Sequence, residues 1–232
     1  MSIGGIPADL NATTYRLDGG RFAGLAFAGA AGLGNVHADF DAFLDTNLSE
    51  EGKRNFTRLR DGQWCELQAA SNLSGLHLQS AFRSDYAGGD ILKAPITQEI
   101  FASEKLGQDV VRIPMSLFHS KTDQIVPYQQ AADYVQDQCD RGASVHLAWL
   151  SGLGHLSAGL RTLPPLFHMA RLYLEDDFGT KQMAALGHCG VEPIGTGLLE
   201  THRVQTMELM GPEAVRLMGE SDEARQGRGG DD

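Results

Sequence analysis

Residues 113–155 read IPMSLFHSKTDQIVPYQQAADYVQDQCDRGASVHLAWLSGLGH, and this stretch decides the fold class. Val111 to His119 is an apolar run of strand length that leads into a polar turn at Asp123. Pro127 then opens a helix, where it loses no hydrogen bond and has φ already set. Tyr128, Ala131, Ala132, Val135 and Cys139 recur at three- and four-residue steps and give that helix an apolar face. Arg141 and Gly142 suit its C-terminus. Ser144 to Leu150 is a second buried strand. Gly152-Leu153-Gly154 follows with His155 at its end, and the next helix is expected from about Arg161 to Leu174. The order strand, Asp, helix, strand, His, helix predicts an α/β chain with a parallel sheet and ionisable residues at the strands' carboxyl ends.

That order has a chemical reading. Hydrolases of the α/β type carry a triad in the chain order Ser, then Asp or Glu, then His. The carboxylate holds the imidazole in one tautomer and stabilises the imidazolium formed when it takes the serine proton. Asp123 and His155 follow successive strands, where such a pair belongs. Each alone is unremarkable, since loop aspartates cap turns and single histidines are mostly structural. His119 stands close enough to the acid loop to line a site there, although a structural role is the simpler reading. The nucleophile is expected upstream as Gly-x-Ser-x-Gly between a strand and a helix. No serine in the sequence has glycine both two residues before and two residues after it. Ser151 and Ser157 fall on the loop that already carries His155. Two members of a triad are legible, and the third is not.

Working outward, Ile3-Gly4-Gly5-Ile6-Pro7 looks like the end of a strand entering a turn. From Leu10 to about Leu92 the strand–helix alternation stops and helical patterns take over. Phe22, Leu25, Ala26, Ala30 and Leu33 form one apolar face, and Phe40, Phe43 and Leu44 another. Ser49 is placed to cap a helix with Glu50 and Glu51 in its first turn, where the dipole favours acids. Phe56 and Leu59 supply that helix's buried side, and Asp61-Gly62 ends it. A short helix is expected from Ile100 to Leu106. The expected organisation is 1–17 as a strand end and turn, 18–95 as a helical cap inserted between sheet strands, and 96–190 as core. Residues 191–218 are expected to form a flap-like segment, and 219–232 a disordered tail.

Composition excludes several functions. The chain has 232 residues, a net charge of −11, 42% hydrophobic residues and 21% charged ones. An acidic chain without a Lys/Arg stripe is a poor nucleic-acid binder. The longest apolar stretch, Phe22 to Gly34, is short of the roughly 20 residues a membrane span needs. The N-terminus lacks the basic and long apolar regions of a signal peptide. There is no HxxxH, HExxH or CxxC, so no metal site is expected, and no GxGxxG or phosphate loop, so no cofactor is expected either. Four of the five asparagines, Asn11, Asn47, Asn55 and Asn72, head an Asn-x-Ser/Thr sequon, against about half a sequon expected by chance. They are candidate glycosylation sites and favour a secretory-pathway protein. The three cysteines leave two readings open: a Cys139–Cys189 bridge with Cys65 left over, or three small buried hydrophobes.

The motifs GGIPADLNAT (4–13), LDGGRFAGLAFAGAAGLGN (17–35), PMSLFHSKTDQIVPY (114–128) and CDRGASVHLAWLSGLGH (139–155), with Cys189 beyond them, resemble the C-terminal part of the fungal and actinobacterial secretory lipases of the Candida lipase A type. The resemblance implies a partial α/β-hydrolase fold with an inserted helical cap, lacking the N-terminal strands and the nucleophile elbow. It implies triacylglycerol or other carboxylic-ester hydrolysis at a lipid interface, secretion, and no metal or cofactor. Asp123 falls on the family's triad acid and His155 on its base. Cys139 and Cys189 fall where the family makes a bridge, and Cys65 matches a cysteine whose partner lies upstream. GGIPADL follows the nucleophile helix in such lipases, so the chain is expected to begin after it and to be inactive alone. A non-catalytic module that binds fatty acyl chains or a protein partner is the alternative. The oligomeric state is not legible.

Overall fold

The computed structural model describes residues 1–163 and 189–193. Within them the strands Ser2–Gly4 (β1), Met115–Ser120 (β2), Val145–Leu150 (β3) and Gly190–Pro193 (β4) form one parallel sheet in the order β1-β2-β3-β4. Gly4 pairs with Phe118, and β2 and β3 pair over their full length from Met115↔Val145 to Ser120↔Leu150. Every residue of β2 is buried. A parallel strand covered on both faces reads as a near-continuous apolar run, which is why MSLF was recognisable. The helices and parallel sheet are of the α/β class that the strand–helix order predicts.

The chain divides into two compact units. One comprises Met1–Ile6, Asp109–Asp123 and the described residues from Ala131 onward, and it holds the sheet. The helix Tyr128–Asp140 joins β2 to β3, with Ala131 and Val135 fully buried. Its end is tied to the start of β4 by a disulfide between Cys139 and Cys189. A further helix occupies 155–163, so His155 is its first residue. The expected start near Arg161 is corrected, because Ala158 N–H already donates to Gly154 O. Leu156, Leu160 and Leu163 carry its helical spacing. The rest of that expected helix lies outside the described residues, as do 194–218 of the expected flap and the expected tail at 219–232.

The other unit, Pro7–Gln108 with Gln124–Gln130, is helical. It contains Leu10–Leu17 (α1), Ala23–Val36 (α2), Ala38–Asn47 (α3), Glu50–Arg60 (α4), Glu66–Asn72 (α5) and Pro95–Ser103 (α6). Local chemistry sets the boundaries. Asp9 caps α1 by accepting from Ala12 N–H at 2.9 Å, and Ser49 caps α4 by accepting from Gly52 N–H at 3.0 Å. The helix expected at 100–106 instead starts at Pro95, which occupies the first helical turn, where proline is well suited. Phe27, Leu44, Phe56 and Leu73 form the centre of the core, with the Phe27 and Phe56 rings 6.2 Å apart. Helices α2 and α5 cross closely because Gly24 has no side chain. A β-carbon there would lie 2.0 Å from the carbonyl oxygen of Ala69.

Candidate active site

Asp123 and His155 meet in the sheet unit. Strand β2 ends at Ser120, and the loop after it turns back with Asp123 N–H donating to Ser120 O. Strand β3 ends at Leu150, and Gly152-Leu153-Gly154 leads to His155. Nδ1 of His155 lies 2.6 Å from Oδ2 of Asp123. An ionised carboxylate only accepts, so the imidazole donates from Nδ1, and in its neutral form Nε2 is the acceptor. The side chain of Asp123 is 2% exposed and that of His155 is 27% exposed. The acid is dry while the base reaches solvent. Such a buried carboxylate is tolerable only when donors satisfy it, and a low-dielectric setting strengthens each one.

Several residues that the sequence reading did not single out hold the two loops together. Ser120 Oγ donates to the carbonyl of Leu153 at 2.6 Å, and Thr122 Oγ1 donates to the same oxygen at 2.9 Å. Lys121 N–H donates to Leu150 O. These bonds fix the backbone two residues before His155 to the strand end before Asp123. A Ser-x-Thr pair at the end of a strand is the available signal, since such hydroxyls bond nearby backbone. Gly5 closes the other side. It has φ +61°, and a β-carbon there would lie 2.7 Å from Cε1 of His155.

A cavity of about 500 Å³ surrounds the pair, lined by Gly4, Gly5, Phe118, Leu160 and Leu163 among others. His119 also lines it and is buried on β2. Among the described residues no group of three or more His, Cys, Asp or Glu side chains is arranged to hold a metal ion, and no helix is long and apolar enough to cross a membrane.

The remaining candidates lie elsewhere. Cys65 is exposed and outside any disulfide, as the N-cap of α5. Of the sequon asparagines, Asn72 is exposed at the end of α5, while Asn11, Asn47 and Asn55 are half-buried. Asn47 Nδ2 donates to Phe43 O. The helical unit has a cavity of its own, about 360 Å³ and almost wholly apolar. Leu33, Phe40, Phe56, Leu92 and Phe101 are among the residues lining it.

The sequence profile of the secretory lipases matches residues 1–183. The chain is 30% identical over 167 residues to "Lipase A" of Moesziomyces aphidis, a match covering 71% of this chain and 36% of that protein. It is 25% identical over 188 residues to "Secreted triacylglycerol lipase LIP1" of Malassezia furfur, covering 79% of this chain and 37% of that protein. The X-ray structure of Candida antarctica lipase A superposes with a TM-score of 0.74 at 28% identity, covering 85% of this chain and 46% of that one. The chain thus spans less than half the length of each of these relatives.

Proposed function

The chain belongs to the secretory lipase family, and from that premise we propose that it carries the acid and base of a Ser-Asp-His triad for carboxylic-ester hydrolysis, with triacylglycerols as the substrate class. The observation that carries this reading is the 2.6 Å bond from His155 Nδ1 to the buried Asp123 Oδ2. That bond selects the tautomer whose Nε2 takes a serine proton, and the carboxylate stabilises the resulting imidazolium. Asp123 does not itself become protonated. The same Nε2–H then protonates the leaving alkoxide of the glyceride, and the cycle repeats with water in place of serine. No Gly-x-Ser-x-Gly is present in the 232 residues, so the chain by itself is expected not to turn esters over.

The test is fluorophosphonate labelling of the recombinant chain alongside turnover of p-nitrophenyl esters. The expected result is neither adduct nor turnover. A covalent adduct that disappears in His155→Ala would overturn the inactive-alone part, because some serine would then be activated. The apolar cavity of the helical unit favours a second reading, a module that binds fatty acyl chains without hydrolysing them, since such cavities suit apolar ligands. It predicts saturable binding of a fluorescent fatty acid by the soluble chain. Sequon density, the disulfide and the names of the secreted relatives support an extracellular location, where disulfides persist.

A further inference from the structure

Two imidazoles converge on the Asp123 carboxylate. Nε2 of His119 lies 3.4 Å from Oδ2, the same oxygen that accepts the hydrogen bond from Nδ1 of His155. The side chain of His119 is 1% exposed, and that of Asp123 is 2% exposed. The two histidines approach from differently held elements. His119 sits on β2, in register with Trp149 of β3, and its neighbour Phe118 accepts the Gly5 N–H through its carbonyl. Asp123 stands on a loop three residues past that strand.

One donor fixes the distance to a carboxylate; donors from two elements also fix its direction. At 3.4 Å the His119 contact is longer than a tight hydrogen bond, so it contributes direction more than strength. A sheet strand is also the more rigid support for a site. We propose that His119 is a positioning residue, a strand-borne donor that aims the Asp123 carboxylate at Nδ1 of His155. This rests on reading Asp123 and His155 as the acid–base pair. Among the described residues, His119, Asp123 and His155 are the titratable ones lining the cavity around the pair, and the other described residues lining it, such as Ser120, Thr162 and Leu163, are uncharged.

The two roles open to His119 give opposite signs. A carboxylate aimed at Nδ1 stabilises the imidazolium, so losing the aim lowers the titration midpoint of His155. A histidine that merely competed for the carboxylate would, when removed, raise it. The experiment is NMR of the whole 232-residue chain with ¹⁵N-labelled histidine, comparing wild type, His119→Gln and His119→Leu. The glutamine keeps a side-chain N–H near the Nε2 position, and the leucine keeps volume without a donor.

In the wild type, His155 is expected to show a slowly exchanging Nδ1–H. In His119→Leu that signal is expected to be lost to exchange and the midpoint to fall by roughly one unit, with His119→Gln keeping both. An unchanged signal and midpoint in His119→Leu, or a raised midpoint, overturns the proposal. Should His119→Leu not fold, His119→Asn replaces it, because its shorter amide stops short of Asp123. The same two outcomes then decide. A wild-type chain without the protected His155 Nδ1–H would instead sink the acid–base pair on which the proposal rests.

Discussion

Gly5 and His155 are in steric register: a β-carbon on Gly5 would lie 2.7 Å from Cε1 of the His155 ring. The turn after β1 thus forms one wall against the imidazole, and Gly5 N–H anchors that turn to Phe118 O at 3.0 Å. Glycine serves twice here, because its φ of +61° is also one that other residues adopt at a cost.

Gly5→Ala is therefore expected to destabilise the chain more than Gly152→Ala. Gly152 has φ +79° but nothing within 4 Å of its would-be β-carbon, so its substitution carries only the left-handed penalty of about 1–2 kcal/mol. Gly5→Ala adds overpacking of about 1–3 kcal/mol. Urea unfolding of the two variants gives the difference directly. Equal losses would mean that the ring moves aside freely.

The Cys139–Cys189 bridge closes a loop across 50 positions. In the chain-entropy model such a loop contributes about 4 kcal/mol. Reduction, or Cys139→Ser with Cys189→Ser, is expected to lower the urea midpoint of the sheet unit. Cys65 is exposed and outside that bridge, so alkylation of the native chain without reductant is expected to label it alone. Labelling at Cys139 or Cys189 under those conditions would show that the bridge is not formed.

Asp9 makes a pH-dependent contribution. Burial pushes its carboxyl up, but a hydrogen bond from Lys105 and the N–H groups of Ala12 and Asn11 outweigh that and hold it below the usual carboxylate value. A depressed folded-state pKa contributes stability above the unfolded value of roughly 4, and that stability is lost as pH falls through the folded one. Asp9→Ala is expected to cost about 1 kcal/mol at neutral pH through loss of the cap. The deficit should shrink below the carboxylate range, where wild-type Asp9 is itself protonated. A deficit of the same size at both pH values would rule out a role for the charge.

The sequence made some of this legible and not the rest, for physical reasons. Strands β2 and β3, the helix after Pro127 and the caps at Ser49 and Gly142 are local events, written in contiguous apolar runs and short-range bonding. The meeting of Asp123 with His155 is legible because parallel-sheet topology places strand ends together. The contacts of Gly5 with His155, and of Ser120 and Thr122 with Leu153, join distant segments through shapes that no periodicity encodes. Pro95 is itself a legible helix start, since proline suits the first helical turn, and Ile100 and Phe101 belong to the same helix. The cysteine pairing was open on spacing alone and closed only by resemblance and then by geometry.

Gly32 offers a way to separate packing from binding in the helical unit. It lies on α2, lines the apolar cavity, and would meet nothing within 4 Å if given a β-carbon. Glycine within a helix is about 1 kcal/mol less favourable than alanine, and leucine is close to alanine. Gly32→Leu is thus expected to raise stability by up to about 1 kcal/mol. Its side chain would narrow the cavity and weaken binding of a fluorescent fatty acid about tenfold, a loss of roughly 1.4 kcal/mol. The two readouts move in opposite directions, which a general folding defect does not produce. Weaker binding together with lower stability would make Gly32 a packing position. Unchanged binding in a stabilised variant would place the fatty acid outside this cavity and remove its main support as an acyl site.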